Sequence, residues 1–413
     1  ETIDPGDQEH FEYLYKNTLH KKAIIFANAR SAVEYTIANI KKNAEDNHTK
    51  DVYRVHHGNI SAVLRENTEK EMKSSEEPIV TGATVTLELG VDIGSLDRIV
   101  QIGAPFTVSS FTQRLGRCGR RGQRAEMIFT FIENKNNSTD ALSEMNWEFL
   151  RAIAIIQLYL EEKWVEPITP ASMPFALLYH QTMSHLASRG ETSAAVLAQD
   201  ILTLSAFKKI SQSDYRTLLQ HLISIEHLQQ TERGGLIIGR KSERLINHFE
   251  FYSVFESPIE YLVKNENQAI GTLQQVPPIG GHFALAGRAW ECIDVDEKSK
   301  TIFVKHIKGV SRVHWISPAK YEFHTKVLKK MKEILSSEVN YAYLSERCIE
   351  KLTSMRNIAK QSGFASMLIT ELSDSQFAIF PWIGSKQLCA LSLALESKGF
   401  SVVSKEDVYL VIK

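Results

Sequence analysis

Gln113-Arg-Leu-Gly-Arg-Cys-Gly-Arg120, followed by Arg121, Gly122 and Arg124, is the stretch on which the reading of this chain turns. Gly116 and Gly119 stand at i and i+3, where they let the backbone turn tightly. Arg117 and Arg120 repeat at the same spacing, so their guanidinium forks can converge on one anion. Such a pair suits a γ-phosphate whose charge rises during transfer. The alternative is a solvated basic loop or a nonspecific phosphate clamp. The triple Gly116, Gly119, Gly122 is not a dinucleotide fingerprint, because it follows a predicted helix start and lacks the G-x-G spacing. Its G-x-x-G spacing resembles that of a KH loop, but the predicted sheet order does not fit that fold.

Outward from this stretch, the segment from Lys22 to about Glu133 alternates short apolar runs with amphipathic ones, as a parallel sheet covered by helices should. Strands are predicted at Ala23–Phe26, Val52–Val55, Ile79–Thr81, Arg98–Ile102 and Met127–Ile132, and a helix at Ser31–Lys42 with Val33, Ile37 and Ile40 on one face. The fold class is therefore α/β. After the polar run ENKNNSTD (Glu133–Asp140) come helical stretches, Trp147–Glu162 and Pro174–Arg189. Next are Ile201–Ile210, a capping box from Ser211 to Asp214, a helix running to Gln229, and a Gly-containing hairpin, TERGGLIIGRKSE, which together read as a winged helix. From Phe249 to about Trp315 the pattern turns β-rich, with strands Ala289–Val295 and Thr301–Ile307 around the turn DEKSK. Helix returns after Tyr321, with the basic amphipathic KVLKKMKEIL, and the chain closes on the strand-like DVYLVIK. The expected domains are 1–140, 141–248, 249–320 and 321–413.

Composition sets few limits. In 413 residues, 43% hydrophobic and 23% charged, the formal charge is −1, so a nucleic-acid site must come from local clustering. Cys118, Cys292, Cys348 and Cys389 form no C-x-x-C pair, which fits a reducing, cytoplasmic compartment. His180 and His185 are five apart and do not share a helix face, so no metal site is expected. No apolar run reaches the roughly 20 residues that span a bilayer, and no membrane partner is expected. Glu1 stands where a Met would, and a polar lead-in precedes the first strand. The expectation is a fragment cut at a domain boundary.

A second functional stretch, Thr84-Val-Thr-Leu-Glu-Leu-Gly-Val-Asp-Ile-Gly94, follows the strand at Ile79–Thr81. Asp92, two residues after Gly90, can accept hydrogen bonds from ribose hydroxyls, while Thr84 and nearby amides meet a phosphate. A turn Asp with a purely structural role is the alternative.

Phe26-x-Asn28-x-Arg30, His56-His57-Gly58, Thr84–Gly94 and QRLGRCGR, in that order and at those spacings, resemble motifs IV to VI of superfamily 2 helicases. LELGVDIG, with the winged helix, FYSVFESP (Phe251–Pro258), the β-rich module ending at Trp315 and FPWIGSKQLCALSLAL (Phe380–Leu395), resembles the large helicase-related (Lhr) family. The resemblance implies a RecA-like second motor domain with Arg117 and Arg120 as arginine fingers. Gln113 would orient the γ-phosphate region, and Asp92 with Gly90 would hold the ribose. Asn28, Arg30, His57 and Thr84 would touch the sugar-phosphate backbone, although a turn packed on the sheet is the alternative for His56 and His57. Trp315 would stack on a base of the tracking strand, or be a core tryptophan. The helix Tyr215–Gln229 would enter a groove or brace domains. ATP and Mg2+ would be used by the full-length protein, between a preceding N-terminal RecA-like domain and this one. Neither G-x-x-x-x-G-K-[ST] nor an acidic magnesium motif occurs in these 413 residues, so this chain alone is expected to be inactive. The implied partner is single-stranded or tailed DNA, tracked 3′ to 5′. An RNA helicase or a noncatalytic binding module are the other readings.

Overall fold

Helix α1 (Pro5–Thr18) leads into β1 (Lys22–Phe26), whose KAIIF run is buried from its second residue onward. There follow α2 (Arg30–Asp46), β2 (Tyr53–His56), α3 (Ala62–Ser74), β3 (Ile79–Ala83), β4 (Arg98–Ile102), α4 (Val108–Leu115) and β5 (Met127–Thr130). The computed structural model describes residues 5–74, 77–88, 91–119, 124–132, 141–168, 173–252, 260–266, 268–307, 322–373 and 375–413. The five strands lie in the order β2-β3-β1-β4-β5, every pairing parallel. The central strands β3, β1 and β4 are buried on both faces and read as short runs without alternation, which is why the sequence places the strands within a residue or two. This is the RecA-like domain.

Two compact units make up the chain: residues 1–166 with 260–413, and residues 167–259. The first unit continues through α5 (Ala141–Glu144) and α6 (Trp147–Glu162). The sequence groups these helices with the winged segment, 141–248, but they fold with the parallel-sheet domain. The reason lies in α6 itself, which buries Phe149, Leu150, Ile153, Ala154, Ile155 and Leu158 around most of its circumference. A helix apolar on so many sides must be covered on more than one. Val108 and Phe111 of α4 join the same core, as do residues of the chain's C-terminal region.

The second unit holds α7 (Phe175–Arg189), β6 (Thr192–Ser193), α8 (Ala194–Leu202), α9 (Gln212–Ser224), β7 (Leu228–Gln230), β8 (Gly235–Ile238) and α10 (Glu243–Ile246). Its sheet order β6-β8-β7, all antiparallel, and the helices preceding the hairpin form a winged helix. The capping box is present: Ser211 Oγ accepts from Asp214 N, and Ser211 N donates to the Asp214 carboxylate. Two expectations shift. The segment Ile201–Ile210 holds only the end of α8, which runs from Ala194 to Leu202, and a 3-10 turn at Ser205–Phe207. The helix read to Gln229 ends at Ser224, because Glu226 takes a left-handed conformation (φ 61) and turns the chain into β7.

Back in the first unit, β9 (Tyr261–Asn265), β10 (Gln268–Leu273), β11 (His282–Leu285), β12 (Arg288–Asp296) and β13 (Thr301–Ile307) form a sheet in the order β10-β9-β13-β12-β11. The β12–β13 hairpin matches the strands and the DEKSK turn read from sequence, with Asp296 Oδ1 accepting from Lys298 N and Ser299 N. Then come α11 (Thr325–Ser336), α12 (Glu346–Ser362), β14 (Ile369–Ser373), β15 (Gln376–Ile379), α13 (Ser385–Ser397), β16 (Val402–Lys405) and β17 (Leu410–Ile412), an α+β region with an antiparallel sheet β14-β15-β17-β16. KVLKKMKEIL lies in α11. Val327, Leu328, Met331, Ile334 and Leu335 enter the core shared with α6, and Lys326 and Lys330 pair with Glu162 and Glu161. No helix among the described residues is long and apolar enough to cross a membrane.

Candidate nucleotide and strand interface

All five strands of the motor domain point the same way, so the loops leaving their carboxyl ends gather on one edge, where open α/β sheets bind ligands. After β1 come Asn28 and Arg30, at the end of β2 His56 and then His57 and Gly58, after β3 Thr84, and after β4 Ala104. The structure thus brings together motif residues that lie far apart in sequence, from Asn28 to Thr84.

Asn28 bridges two of these loops, donating from Nδ2 to Ala104 O at 2.7 Å, while its Oδ1 is buried with no partner among the described residues. Arg30 is exposed at the start of α2, with its guanidinium over Gly58. Thr84 is almost fully buried and precedes a 3-10 turn, Val85–Leu87, without capping it. His56 contacts Thr86 Oγ1 at 2.9 Å and Glu69 Oε1 at 2.8 Å, and burial lowers its pKa.

His57 is turned inward. Its ring is 1% exposed. Nδ1 accepts from Asn59 N at 3.3 Å, which leaves the Nε2 hydrogen for the Glu34 carboxylate at 2.9 Å. Both ring nitrogens are thus engaged inside the protein in this conformation, an arrangement compatible with the packed-turn alternative.

The Thr84–Gly94 stretch (motif V) and QRLGRCGR (motif VI) are fastened to each other. Glu88, in the Thr84–Gly94 stretch, accepts from Arg114 Nε at 2.7 Å and from Ser110 Oγ at 3.1 Å, and Arg114 also reaches Gln101 Oε1 and lies over the Phe26 ring. Arg114 and Glu88 are 1% and 2% exposed. Arg117, half-buried, turns back on the same loop: Nε donates to Glu88 O at 3.1 Å and Nη1 to Val91 O at 2.8 Å. Its guanidinium therefore rests on carbonyl oxygens, groups that an anion could displace. Gln113 points back along its helix, with Nε2 3.4 Å from Ser109 Oγ. Asp92 is exposed; its carboxylate accepts from Gly94 N at 3.3 Å and pairs with Lys73 at 2.9 Å.

The glycines of QRLGRCGR play different roles. Gly119 is left-handed (φ +78), and a Cβ there would lie 2.6 Å from Ala125 N. Gly116 ends α4 with φ −65, a conformation open to any residue. Between them Cys118 Sγ donates to Leu96 O at 3.2 Å. The other end of α4 is held by Glu166, whose carboxylate accepts from Val108 N at 2.8 Å and Ser109 N at 3.0 Å, joined by Thr107 Oγ1 accepting from Ser110 N. Gly90, Arg120 and Trp315 lie outside the described residues.

Glu88, Arg114, Glu34 and Glu166 shape the site without standing out as site residues in the sequence. The first two stand inside the quoted motifs with opposite charges, a signal that was available. The other two had none, since their partners are remote in sequence. Among the described residues no group of three or more His, Cys, Asp or Glu could hold a metal ion.

Residues 8–122 match the helicase conserved C-terminal domain. The ATP-dependent helicase Lhr-Core of Saccharolobus solfataricus is 21% identical over 88% of this chain and 42% of its own length. Among solved structures, Mycobacterium smegmatis helicase Lhr bound to ssDNA and AMP-PNP shares the fold at a TM-score of 0.63 and 17% identity, over 100% of this chain and 53% of that one. Helicase MrfA bound to DNA does so at 0.54 and 16%, over 75% of this chain and 42% of that one. The chain thus spans about half or less of the length of the relatives it matches. Residues 8–122 thus form a helicase C-terminal domain, and the chain as a whole is similar to Lhr helicases in sequence and fold.

Proposed function

We propose that this chain, with its Lhr-type second motor domain, supplies half of the ATPase site and the strand-binding surfaces of an ATP-dependent DNA helicase that steps 3′ to 5′. The observation that carries the reading is the joining of motifs V and VI, with Arg114 locked onto Glu88 and Arg117 lying on the carbonyls of Glu88 and Val91. A phosphate whose charge grows binds a guanidinium more strongly than the carbonyls of Glu88 and Val91 can, so Arg117 can exchange these contacts for it. Arg120 belongs to the same proposal from its place in the motif.

The donor set fits one side of a nucleotide. Asp92 offers an exposed carboxylate for ribose hydroxyls, Arg117 and Arg120 serve the γ-phosphate, and Gln113 stands one helical turn before Arg117. Bound ATP supplies the phosphoanhydride whose hydrolysis drives stepping, with Mg2+ and the lysine cradle provided by a first motor domain of the full-length protein. The chain by itself would then leave ATP intact. On the strand side, Asn28, Arg30 and Thr84 line the same sheet edge and would grip phosphates without reading bases. Trp315 is proposed to stack on a base. DNA is favoured over RNA because the matched Lhr and MrfA structures hold DNA.

The decisive experiment replaces Arg117 and Arg120 with Ala in the full-length protein. Strand-stimulated ATP hydrolysis should fall by about 10³-fold or more. Unchanged hydrolysis would overturn the finger assignment, and stronger stimulation by single-stranded RNA than by DNA would favour the RNA reading.

A further inference from the structure

Glu34 is 2% exposed and sits on α2 of the motor domain, yet most of its partners lie elsewhere in the chain. Oε1 accepts from His57 Nε2 at 2.9 Å and from Ala286 N at 2.6 Å, and Oε2 accepts from Gly287 N at 2.6 Å. Ala286 and Gly287 are the two-residue tip of the β11–β12 hairpin, both left-handed (φ 57 and 68). Consecutive positive φ values make a type I′ turn, whose two amides here converge on one carboxylate as in a backbone anion nest. A Cβ at Gly287 would stand 3.2 Å from Val55 and 3.3 Å from Ile37, so the tip is seated against the motor core.

The same β2 loop makes a second attachment. Thr272 N donates to Asn59 O at 2.7 Å, Asn59 Nδ2 to Thr272 O at 3.0 Å, and Ser61 N to Ile270 O at 3.0 Å. Ile60 bridges Gly271, where any Cβ would lie 2.1 Å from Asn59 O. The His57–Ser61 loop is thus held from both ends of the β-rich sheet, by β10 and by the β11–β12 tip.

We propose that Glu34 is a positioning residue that makes the post-β2 loop and the β-rich module one rigid piece, so that the displacement produced by the motor domain reaches the module and is spent on strand separation. The proposal rests on the helicase reading above. Glu34 touches neither nucleotide nor strand; it acts through His57 and the hairpin tip. A neutral amide in its place cannot accept both backbone N–H groups and the imidazole, so the tip loosens while the half-site at Arg117 is untouched.

The test is Glu34→Gln in the full-length protein, read in two ways. Hydrogen exchange at the Ala286 and Gly287 amides should accelerate about tenfold or more, a readout independent of any helicase activity. Strand-stimulated ATP hydrolysis should stay within about twofold while base pairs opened per ATP fall about tenfold. Faster exchange with unwinding unchanged, or unwinding and hydrolysis falling together, overturns the coupling role; unchanged exchange overturns the seam itself. If Glu34→Gln does not fold, Asn59→Ala carries the same test in milder form, and no split between hydrolysis and unwinding there overturns the proposal. A wild-type protein with neither activity would sink the helicase reading while leaving the exchange result to stand.

Discussion

The Glu88 carboxylate and the Arg114 guanidinium, 26 residues apart in sequence, meet at 2.7 Å with almost no exposure to solvent. Removing one partner of such a pair strands a charge in the interior. Arg114→Ala should therefore destabilise the chain by about 3–5 kcal/mol in denaturant unfolding. Arg114→Lys should recover little, because an ammonium cannot serve Glu88 and Gln101 with a fork. A loss under 1 kcal/mol for Arg114→Ala would show, on the scale of about 1 kcal/mol expected of exposed pairs, that this pair is solvated.

Asp92 and Lys73 make the contrasting case. Both are 63% exposed, so Lys73→Ala should change stability by less than about 1 kcal/mol. Asp92→Ala should leave the melting temperature in place but raise the KM for ATP in the full-length protein. A drop in melting temperature without a change in KM would make Asp92 a structural turn residue.

Gly119→Ala and Gly116→Ala separate the two glycines of QRLGRCGR. At Gly119 the added methyl meets a left-handed backbone and Ala125, and strand-stimulated hydrolysis should collapse with a clear loss of stability. At Gly116, where φ is −65, the stability change should stay within about 1 kcal/mol. Equal effects would show that the turn needs both.

His56 sets a pH dependence. Burial pushes its pKa below the ordinary 6.5, with Glu69 opposing and Arg65 and His57 adding to the depression. The folded state thus prefers the neutral ring, and its contribution is fully present above about pH 6.5 and is lost as pH falls toward the depressed value. The melting temperature should rise between pH 5 and 7, and His56→Gln should flatten that rise. A slope unchanged in the variant would assign it to another group.

Trp315→Ala in the full-length protein should weaken unwinding more than strand-stimulated hydrolysis, since stacking is worth about 1–3 kcal/mol per base. Equal loss of both with a lowered melting temperature would mark a core tryptophan.

Much of this architecture is legible in the sequence because its signals are local. The parallel strands announce themselves as short apolar runs, Ser211 and Asp214 as a capping box, and Trp147–Glu162 as one uninterrupted helix. What escapes is what depends on distance or on an unsignalled conformation. Glu226 turns left-handed without a glycine to mark it, so α9 reads five residues too long. Glu34 and Ala286 are 252 residues apart, and no periodicity links a carboxylate in one helix to a hairpin tip in another module. The candidate site follows the same division: its motifs are readable, while the inward turn of His57 is set by that remote contact.

The seam at Asn59, Gly271 and Gly287 also bears on how such proteins can be recombined. A motor domain grafted onto a foreign β-rich module would present Glu34 as a buried anion without amides to receive it, and a foreign strand with a side chain at position 271 would strike Asn59 O. Transplantation should succeed only when α2, the post-β2 loop and the β11–β12 tip travel together. The smallest heritable part here is therefore larger than the motor fold, and interrupted in sequence.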